Sequence, residues 1–469
     1  VIREIKGIYI DAFELFSCIK NEPYPFLLES GMDHENLGRY SIIGWNPFMI
    51  FKCREDHVEI KANNKIEISS KDPFELLKEH LKKYRKNSNG KLPFSGGAVG
   101  YFSYDLKNRL EKLPHNAKKD VEICDMHFGF YDEILVIDHK DKKTYAATYG
   151  ISVDADKILD SIEERVESFI AEQTERYDDS DIEFGLYNRE KTEFISNFTK
   201  EEYLNALDRV HEYIRQGDIY QTNLTQRFTA DLKTTPEKLY RVLRKVNPAP
   251  FASYMPLDEG VIVSSSPERF MRLAENIAEA RPIKGTLPRG KTPDEDEHNK
   301  AALAASEKDK AELLMIVDLE RNDLGRVAKT GSVKVTELYK IETYPTVFHL
   351  VSTVKAELGQ GLQAIDLVKA TFPGGSITGA PKIRAMEIID ELEPTARNLY
   401  TGSIGYIDFN GDMDLNIVIR TIFCKDGKAY FQVGGGIVWD SDNELEYEET
   451  FHKAAALMKS IEIANKLGD

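Results

Sequence analysis

Long apolar runs are missing from this chain. No stretch approaches the ~20 residues that a membrane-spanning helix needs, so no membrane association is expected. The opening residues show no basic stretch ahead of a short apolar core, and no secretory signal is expected there. Cysteine is scarce: Cys18, Cys53, Cys124 and Cys424 lie far apart, with no Cys-x-x-Cys pair. That spacing suggests neither a disulfide framework nor a zinc site, and it fits a reducing cytoplasm. Positive charge is in deficit, with 62 Lys and Arg against 79 Asp and Glu and a formal net charge of −17. A nucleic-acid partner would need a dense basic face, so none is expected. No Gly-x-Gly-x-x-Gly follows a strand-like run, which disfavours a dinucleotide cofactor. No cysteine sits in a Gly-x-Cys-x-Gly turn, so the usual glutaminase nucleophile is absent.

What is present suits a large folded enzyme. The 469 residues are 41% hydrophobic and 30% charged, enough to bury a substantial core and remain in water. Residues 1 to about 150 read as short strands, such as Tyr40 to Gly44 and Glu133 to Ile137, interrupted by a helix near Pro73 to Tyr84. A second helix is predicted over Asp156 to Ala171, where Ile158, Leu159, Ile162, Val166 and Ile170 recur at helical spacing. The acidic stretch Gln173 to Lys191 reads as a linker. It divides an N-terminal subdomain, 1–175, from a region 190–469 that holds nearly all the suggestive polar motifs. Thr199-Lys200-Glu201-Glu202 has the capping-box pattern and Gly217 can close the helix it starts. A long helix from about Asn443 to Lys466 ends the chain.

Four features point to a small polyanionic substrate held partly through a metal. The loop Phe372 to Lys382 is glycine-rich and leads into a helix, an arrangement that suits an anion. It departs from a nucleotide loop, because Ala380-Pro381 follows Gly379, and it also reads as an ordinary connector. Gly434-Gly435-Gly436 follows the strand-like Ala429 to Val433, and three glycines suggest close backbone approach to a ligand. Asp309 and Glu312 share one helix face, as do Glu446, Glu449 and Lys453 on the last helix. Mg²⁺ takes oxygen ligands, so one carboxylate from each helix would serve; a solvated acidic face is the bland alternative. Finally, Lys284 interrupts the strand-like Arg281 to Thr286. Buried, it would lose solvation, its pKa would fall from about 10.4, and it would become an amine nucleophile. On the surface it would simply snorkel.

Taken in order, these segments resemble the chorismate-utilising enzymes, a family that includes anthranilate, aminodeoxychorismate, isochorismate and salicylate synthases. The segments are Gly217 to Gln221, Ser266-Pro267-Glu268, Pro282 to Thr286, Glu312 to Arg326, Gly374 to Lys382 and Gly434 to Lys453. Water-adding members carry a general-base lysine where this chain has Gln221, which argues against the isochorismate and salicylate chemistries. Anthranilate synthases usually have Ala at the position of Lys284; the Lys form is similar to aminodeoxychorismate synthase component I.

The resemblance implies an α/β fold with two large, mainly antiparallel sheets facing each other and helices outside. It implies amination of chorismate at C4 by ammonia, supplied by a separate glutamine amidotransferase subunit, with Mg²⁺ as cofactor. By position, Lys284 would be the nucleophile and Glu268 and His349 catalytic. Glu312 and Glu449 would hold the metal, with Asp309 and Glu446 in support. Thr378, Gly379, Tyr400, Arg420, Gly434, Gly436 and Lys453 would bind substrate. Glu29, Ser30, Tyr40, Asn247 and Pro248 resemble the family's tryptophan pocket, regulatory in some members and merely occupied in others. Two readings stay open beside this one: anthranilate synthase component I, and a non-catalytic scaffold for a glutaminase.

Overall fold

The structure, a computed structural model, describes residues 1–31, 37–87, 90–172, 182, 191–344 and 347–468. The expected linker, Gln173 to Lys191, lies outside these residues apart from Ile182 and Lys191. The helices expected near Pro73, Asp156, Thr199 and Asn443 are present. Pro73–Lys83 starts with Pro73 in its first turn and Asp72 accepting from the Glu75 amide at 2.9 Å. Ala155–Glu172 buries Ile158, Leu159, Ile162 and Val166 as one stripe. Lys200–Gln216 has both halves of its capping box, between Thr199 and Glu202, and ends at Gly217 with φ +81°. Asn443–Leu467 closes the chain.

Among the described residues the strands assemble into two twelve-stranded sheets in which every pairing of named strands is antiparallel. Each sheet mixes early and late sequence. In the first, Phe26–Glu29 pairs with Phe251–Leu257, and Gly260–Ser266 pairs with Thr421–Lys425. In the second, Gly97–Phe102 pairs with Ser403–Asp408.

Side-chain alternation explains why these sheets stack. Along Glu133–Asp138, Ile134 and Val136 join a buried cluster with Val99, Tyr101 and Ile404 of the other sheet. Leu135 and Ile137 point the other way, into a cluster that includes Ala155–Glu172, Pro236–Val246 and Asn443–Leu467. A strand covered on both faces reads as a continuous apolar run rather than an alternating one. The second sheet is covered likewise by Pro73–Lys83, Glu307–Gly325 and Ala364–Thr371. The result is four layers: helices, sheet, sheet, helices. No described helix is long and apolar enough to cross a membrane.

One buried ion pair joins segments that later form the site. The Arg397 side chain is 1% exposed and pairs with Glu393 at 2.7 Å. Arg397 also donates to the carbonyls of Asn223, at 2.7 Å, and Ile377, at 3.0 Å. Glu393 accepts from the amide and hydroxyl of Thr225. Removing the cation alone leaves Glu393 charged and buried. Arg397→Met should therefore cost about 3–5 kcal/mol, read as a lower urea midpoint at pH 7. Glu393→Gln combined with Arg397→Met should recover part of that loss.

Candidate active site

Lys284 lies on Ile283–Pro288, an edge strand bonded to Val347–Glu357 with an irregularity in register between Ile283 and Thr286. Gly285 follows with φ +79°, a conformation that favours glycine. A Cβ there would come 2.8 Å from Asp309 Cγ. The strand edge is thus pressed against the helix Glu307–Gly325, and Gly285 makes room for Asp309 rather than for a ligand. Lys284 is half-buried. Burial lowers its pKa, against the pull of Glu312, and Lys453, Glu268 and Glu449 also bear on its charge.

The three glycines do not follow a strand; they lie within one, Lys428–Ile437, paired with Gln221–Asp231. Each is small for a different neighbour. A Cβ on Gly434 would stand 2.3 Å from the Leu224 carbonyl oxygen. On Gly435 it would stand 3.0 Å from Glu446 Oε2 and 3.8 Å from Lys453 Nζ. On Gly436 it would stand 2.5 Å from Gln221 Nε2 and 3.3 Å from Lys284 Nζ. The space over Gly436 is therefore bordered by an amine and an amide. Gln221 is 0% exposed, and neither its amide nitrogen nor its amide oxygen has a partner. A buried amide left unpaired costs roughly 1–3 kcal/mol, so this one is a strong candidate ligand contact.

Carboxylates from two helices converge beside these glycines. Burial raises the pKa of Glu312, with Asp309 and Glu449 adding to the effect and Lys284 and Lys308 opposing it. Burial also raises Glu446, which accepts from the Ser441 hydroxyl at 2.7 Å. Burial pushes Glu449 the same way, but Lys453, 2.6 Å distant, holds its pKa below the usual value. Lys453 also donates to the Gly434 carbonyl at 3.1 Å. Among the described residues, no three His, Cys, Asp or Glu side chains form a ready-made metal cage.

Glu268 closes the other side. It is 8% exposed, and burial pushes its pKa up to about 7 despite Lys284 nearby. Ser376 of the glycine-rich loop donates to it at 3.2 Å. Arg420 bears on Glu268 too, and burial lowers its own pKa.

Residues 24–459 match the family model described as chorismate binding enzyme. The chain belongs to that family. It is 42% identical to "Aminodeoxychorismate synthase component 1" of Klebsiella aerogenes, over 95% of this chain and 96% of that protein. It is 40% identical to "Anthranilate synthase component 1" of Acetivibrio thermocellus, over 100% and 96%. The crystal structure of anthranilate synthase component I from Streptococcus pneumoniae TIGR4 superposes with a TM-score of 0.77 at 32% identity, covering 92% of this chain and 94% of that one. The protein is an enzyme of the chorismate-binding family.

Other residues singled out in the sequence of this chorismate-binding enzyme sit less directly. Thr378 is fully buried and its hydroxyl donates within its own loop, to the Gly374 carbonyl at 2.9 Å. Gly379 pairs with Thr222, and a Cβ there would meet the Gln221 carbonyl oxygen at 2.2 Å. Its smallness serves the strand pairing. Pro381 occupies the cap position of the helix Lys382–Leu392. Tyr400 is buried beneath Arg397 and lines a separate cavity of about 40 Å³. His349 has its Nδ1 2.8 Å from the Thr286 hydroxyl and its ring against Tyr344.

A cavity of about 660 Å³ opens between the sheets, lined by Leu28, Glu29, Tyr40 and Phe251 on one side and Arg269 and Tyr406 on the other. The Glu29 carboxylate is taken up by Tyr240 and Arg244. The Ser30 amide donates to the Ser41 hydroxyl, and Pro248 packs beside Gly31. Asn247 donates to Ser265 at 2.8 Å and accepts from Arg420 at 3.4 Å.

Sequence reasoning missed Ser376, inside the glycine-rich loop it quoted, as a partner of Glu268, and Lys308 as a charge facing the carboxylates. The glycine geometry separates packing from function. Gly434→Ala should lower the thermal midpoint, because its Cβ meets backbone. Gly436→Ala should change stability little and reduce turnover of chorismate about a hundredfold by displacing Gln221 and Lys284. Equal effects of the two substitutions on both measurements would contradict that assignment.

Proposed function

We propose that this enzyme is an aminodeoxychorismate synthase component 1, aminating chorismate at C4 with ammonia to give 4-amino-4-deoxychorismate. The observation that carries this reading is Lys284, placed over Gly436 beside the buried amide of Gln221 and within the field of Glu268. Burial makes its free amine more accessible near neutral pH, as a covalent nucleophile requires.

In this reading the Lys284 amine forms a bond to ring C2 as the C4–O bond breaks. The departing hydroxide takes the proton of Glu268 and leaves as water; the new ammonium on C2 returns one proton to Glu268. Ammonia then forms the C4–N bond as the C2–N bond breaks. The proton shed by the new C4 nitrogen balances the one Lys284 regains. Two successive displacements restore the original placement of the ring double bonds. Gln221 can accept from the incoming nitrogen, and its position lacks the basic lysine that water addition would use. Arg420 and Lys453 are cations suited to substrate carboxylates.

Glu312 and Glu449, with Glu446 and Asp309 beside them, fit Mg²⁺. They are hard oxygen donors whose crowding already raises Glu312, and Mg²⁺ needs only one or two carboxylates because water and substrate fill its other positions. When bound, the cation would neutralise charge on the substrate's carboxylate and ring. Ammonia would come from a separate glutamine amidotransferase subunit, in keeping with the "component 1" in the relatives' names. We place the reaction in the cytoplasm.

A second reading, anthranilate synthase component 1, is favoured by relatives of that name at similar identity. Incubation with chorismate, Mg²⁺ and an ammonium salt at high pH decides between them. The proposed enzyme gives a 4-amino product without a second polypeptide; the rival gives an aromatic ortho-amino acid and pyruvate. No turnover would favour a scaffold. Glutamine should support the reaction only when the partner subunit is added.

Without ammonia, chorismate and Mg²⁺ should leave a fraction of the protein heavier by chorismate minus water, on the Lys284 peptide. Lys284→Ala should abolish the adduct and lower C4 amination by about a hundredfold or more, with a trace of ortho product allowed. Unchanged C4 amination would sink the covalent route. Glu312→Gln and Glu449→Gln should each weaken the Mg²⁺ dependence and reduce turnover by about a hundredfold. Near-normal kinetics in both would mean a solvated helix face.

A further inference from the structure

Asn223 stands two residues beyond Gln221 on the strand Gln221–Asp231, and the chemistry above does not use its side chain. Alternate positions of a strand share a face, so Asn223 and Gln221 project to the same side. Asn223 is paired in register with Gly436, which puts its Cβ roughly 5 Å from the place that a Gly436 Cβ would take. That place is bordered by Gln221 Nε2 and Lys284 Nζ. Asn223 is 8% exposed, and its Oδ1 is buried without a partner.

The backbone of Asn223, by contrast, is committed. Its amide donates to the Thr378 carbonyl at 2.8 Å, and its carbonyl accepts from Arg397 at 2.7 Å. Thr225, next along the same face, has its hydroxyl on Glu393. A fixed strand thus presents two neighbouring carboxamides with unmet hydrogen-bonding groups, beside the lysine amine. Buried polar groups are nearly always paired, so two such side chains on one face mark the place of a polar guest.

We propose that Asn223 and Gln221 form an acceptor pair that selects ammonia over water as the nucleophile at C4. The inference rests on the reaction assigned above and deepens it. Ammonia spends its lone pair on the C4–N bond as the C2–N bond to Lys284 breaks. Three N–H groups are left that need acceptors, and the positive charge growing on nitrogen strengthens each as a donor. Both ends of the Gln221 amide are unpartnered, so it can turn its oxygen to one of them without breaking a bond. Asn223 Oδ1 takes another. Water at the same carbon has only two O–H donors, and its spare lone pair would face a carbonyl oxygen. A carboxamide is also no base for water, since it accepts a hydrogen bond without taking the proton. Attack by water would form a C4–O bond, break the C2–N bond and return a proton to Lys284, giving back chorismate and wasting the adduct.

Asn223→Val and Asn223→Thr test the pair, because the two replacements share one outline, suit a strand and differ by a hydroxyl. Chorismate, Mg²⁺ and an ammonium salt are supplied at one pH in water labelled with heavy oxygen. Asn223→Val should lower kcat/KM for ammonia about tenfold, the loss of one hydrogen bond in the transition state. The ratio of labelled chorismate to 4-amino product should rise by a similar factor. KM for chorismate, and the yield of the Lys284 adduct without ammonia, should stay as in wild type. Asn223→Thr, which keeps an acceptor, should lie nearer wild type in both readouts. Unchanged ammonia kinetics in Asn223→Val, equal behaviour of the two variants, or a parallel loss of adduct overturns the proposal. Wild type alone reports on the assigned reaction: without a 4-amino product that reading falls and takes the proposal with it. With one, the variants judge the acceptor pair separately.

Discussion

A single guanidinium organises the framework behind the candidate site. Arg397 holds the carbonyls of Asn223 and Ile377, and so ties the strand carrying Gln221 to the loop carrying Ser376. Its partner Glu393 holds Thr225 on the same strand. Those two segments place an amide over Gly436 and a hydroxyl on Glu268. A charge this deeply buried is tolerated only because Glu393 and the carbonyls replace its lost water. The polar scaffold behind the site is therefore as constrained as the site itself.

The chemistry follows from competition between desolvation and opposite charge. Lys284 loses water and its pKa falls, while Glu312, Glu268 and Glu449 limit the fall. Glu449 feels the same desolvation, yet Lys453 keeps it ionised. Groups of one chemical type are set to different protonation states by neighbours alone. That is how one cleft can contain an amine of lowered pKa, a carboxyl titrating near neutrality and, in Glu449, a carboxylate held ionised.

Local features were the most legible in the sequence. Capping boxes, helical stripes and the Gly217 stop depend on neighbours within a few residues, and Thr199 to Gly217 was readable for that reason. The resemblance to chorismate-utilising enzymes, together with the two facing sheets it implied, rested on motif order and is matched by the family comparison and the fold. The purpose of individual glycines was not legible. Gly285, Gly375 and Gly379 clear space for Asp309, Leu319 and the Gln221 backbone, all distant in sequence. Glu320 lies within the charged run Asp318 to Asp323 and was not singled out. Its signal was a carboxylate at a core position of a helical apolar stripe.

The weaving of the two sheets bears on how the protein is made. Phe26–Glu29 has Tyr40–Trp45 on one side, but its other edge waits for Phe251–Leu257, more than two hundred residues later. Gly97–Phe102 waits still longer, for Ser403–Asp408. During synthesis the early strands emerge with unpaired backbone edges and uncovered apolar faces, and only the last part of the chain can cover them. Ribosome-bound chains ending before about residue 400 should thus be the form most in need of a chaperone, and a premature stop near the C-terminus would expose more than the few residues it removes.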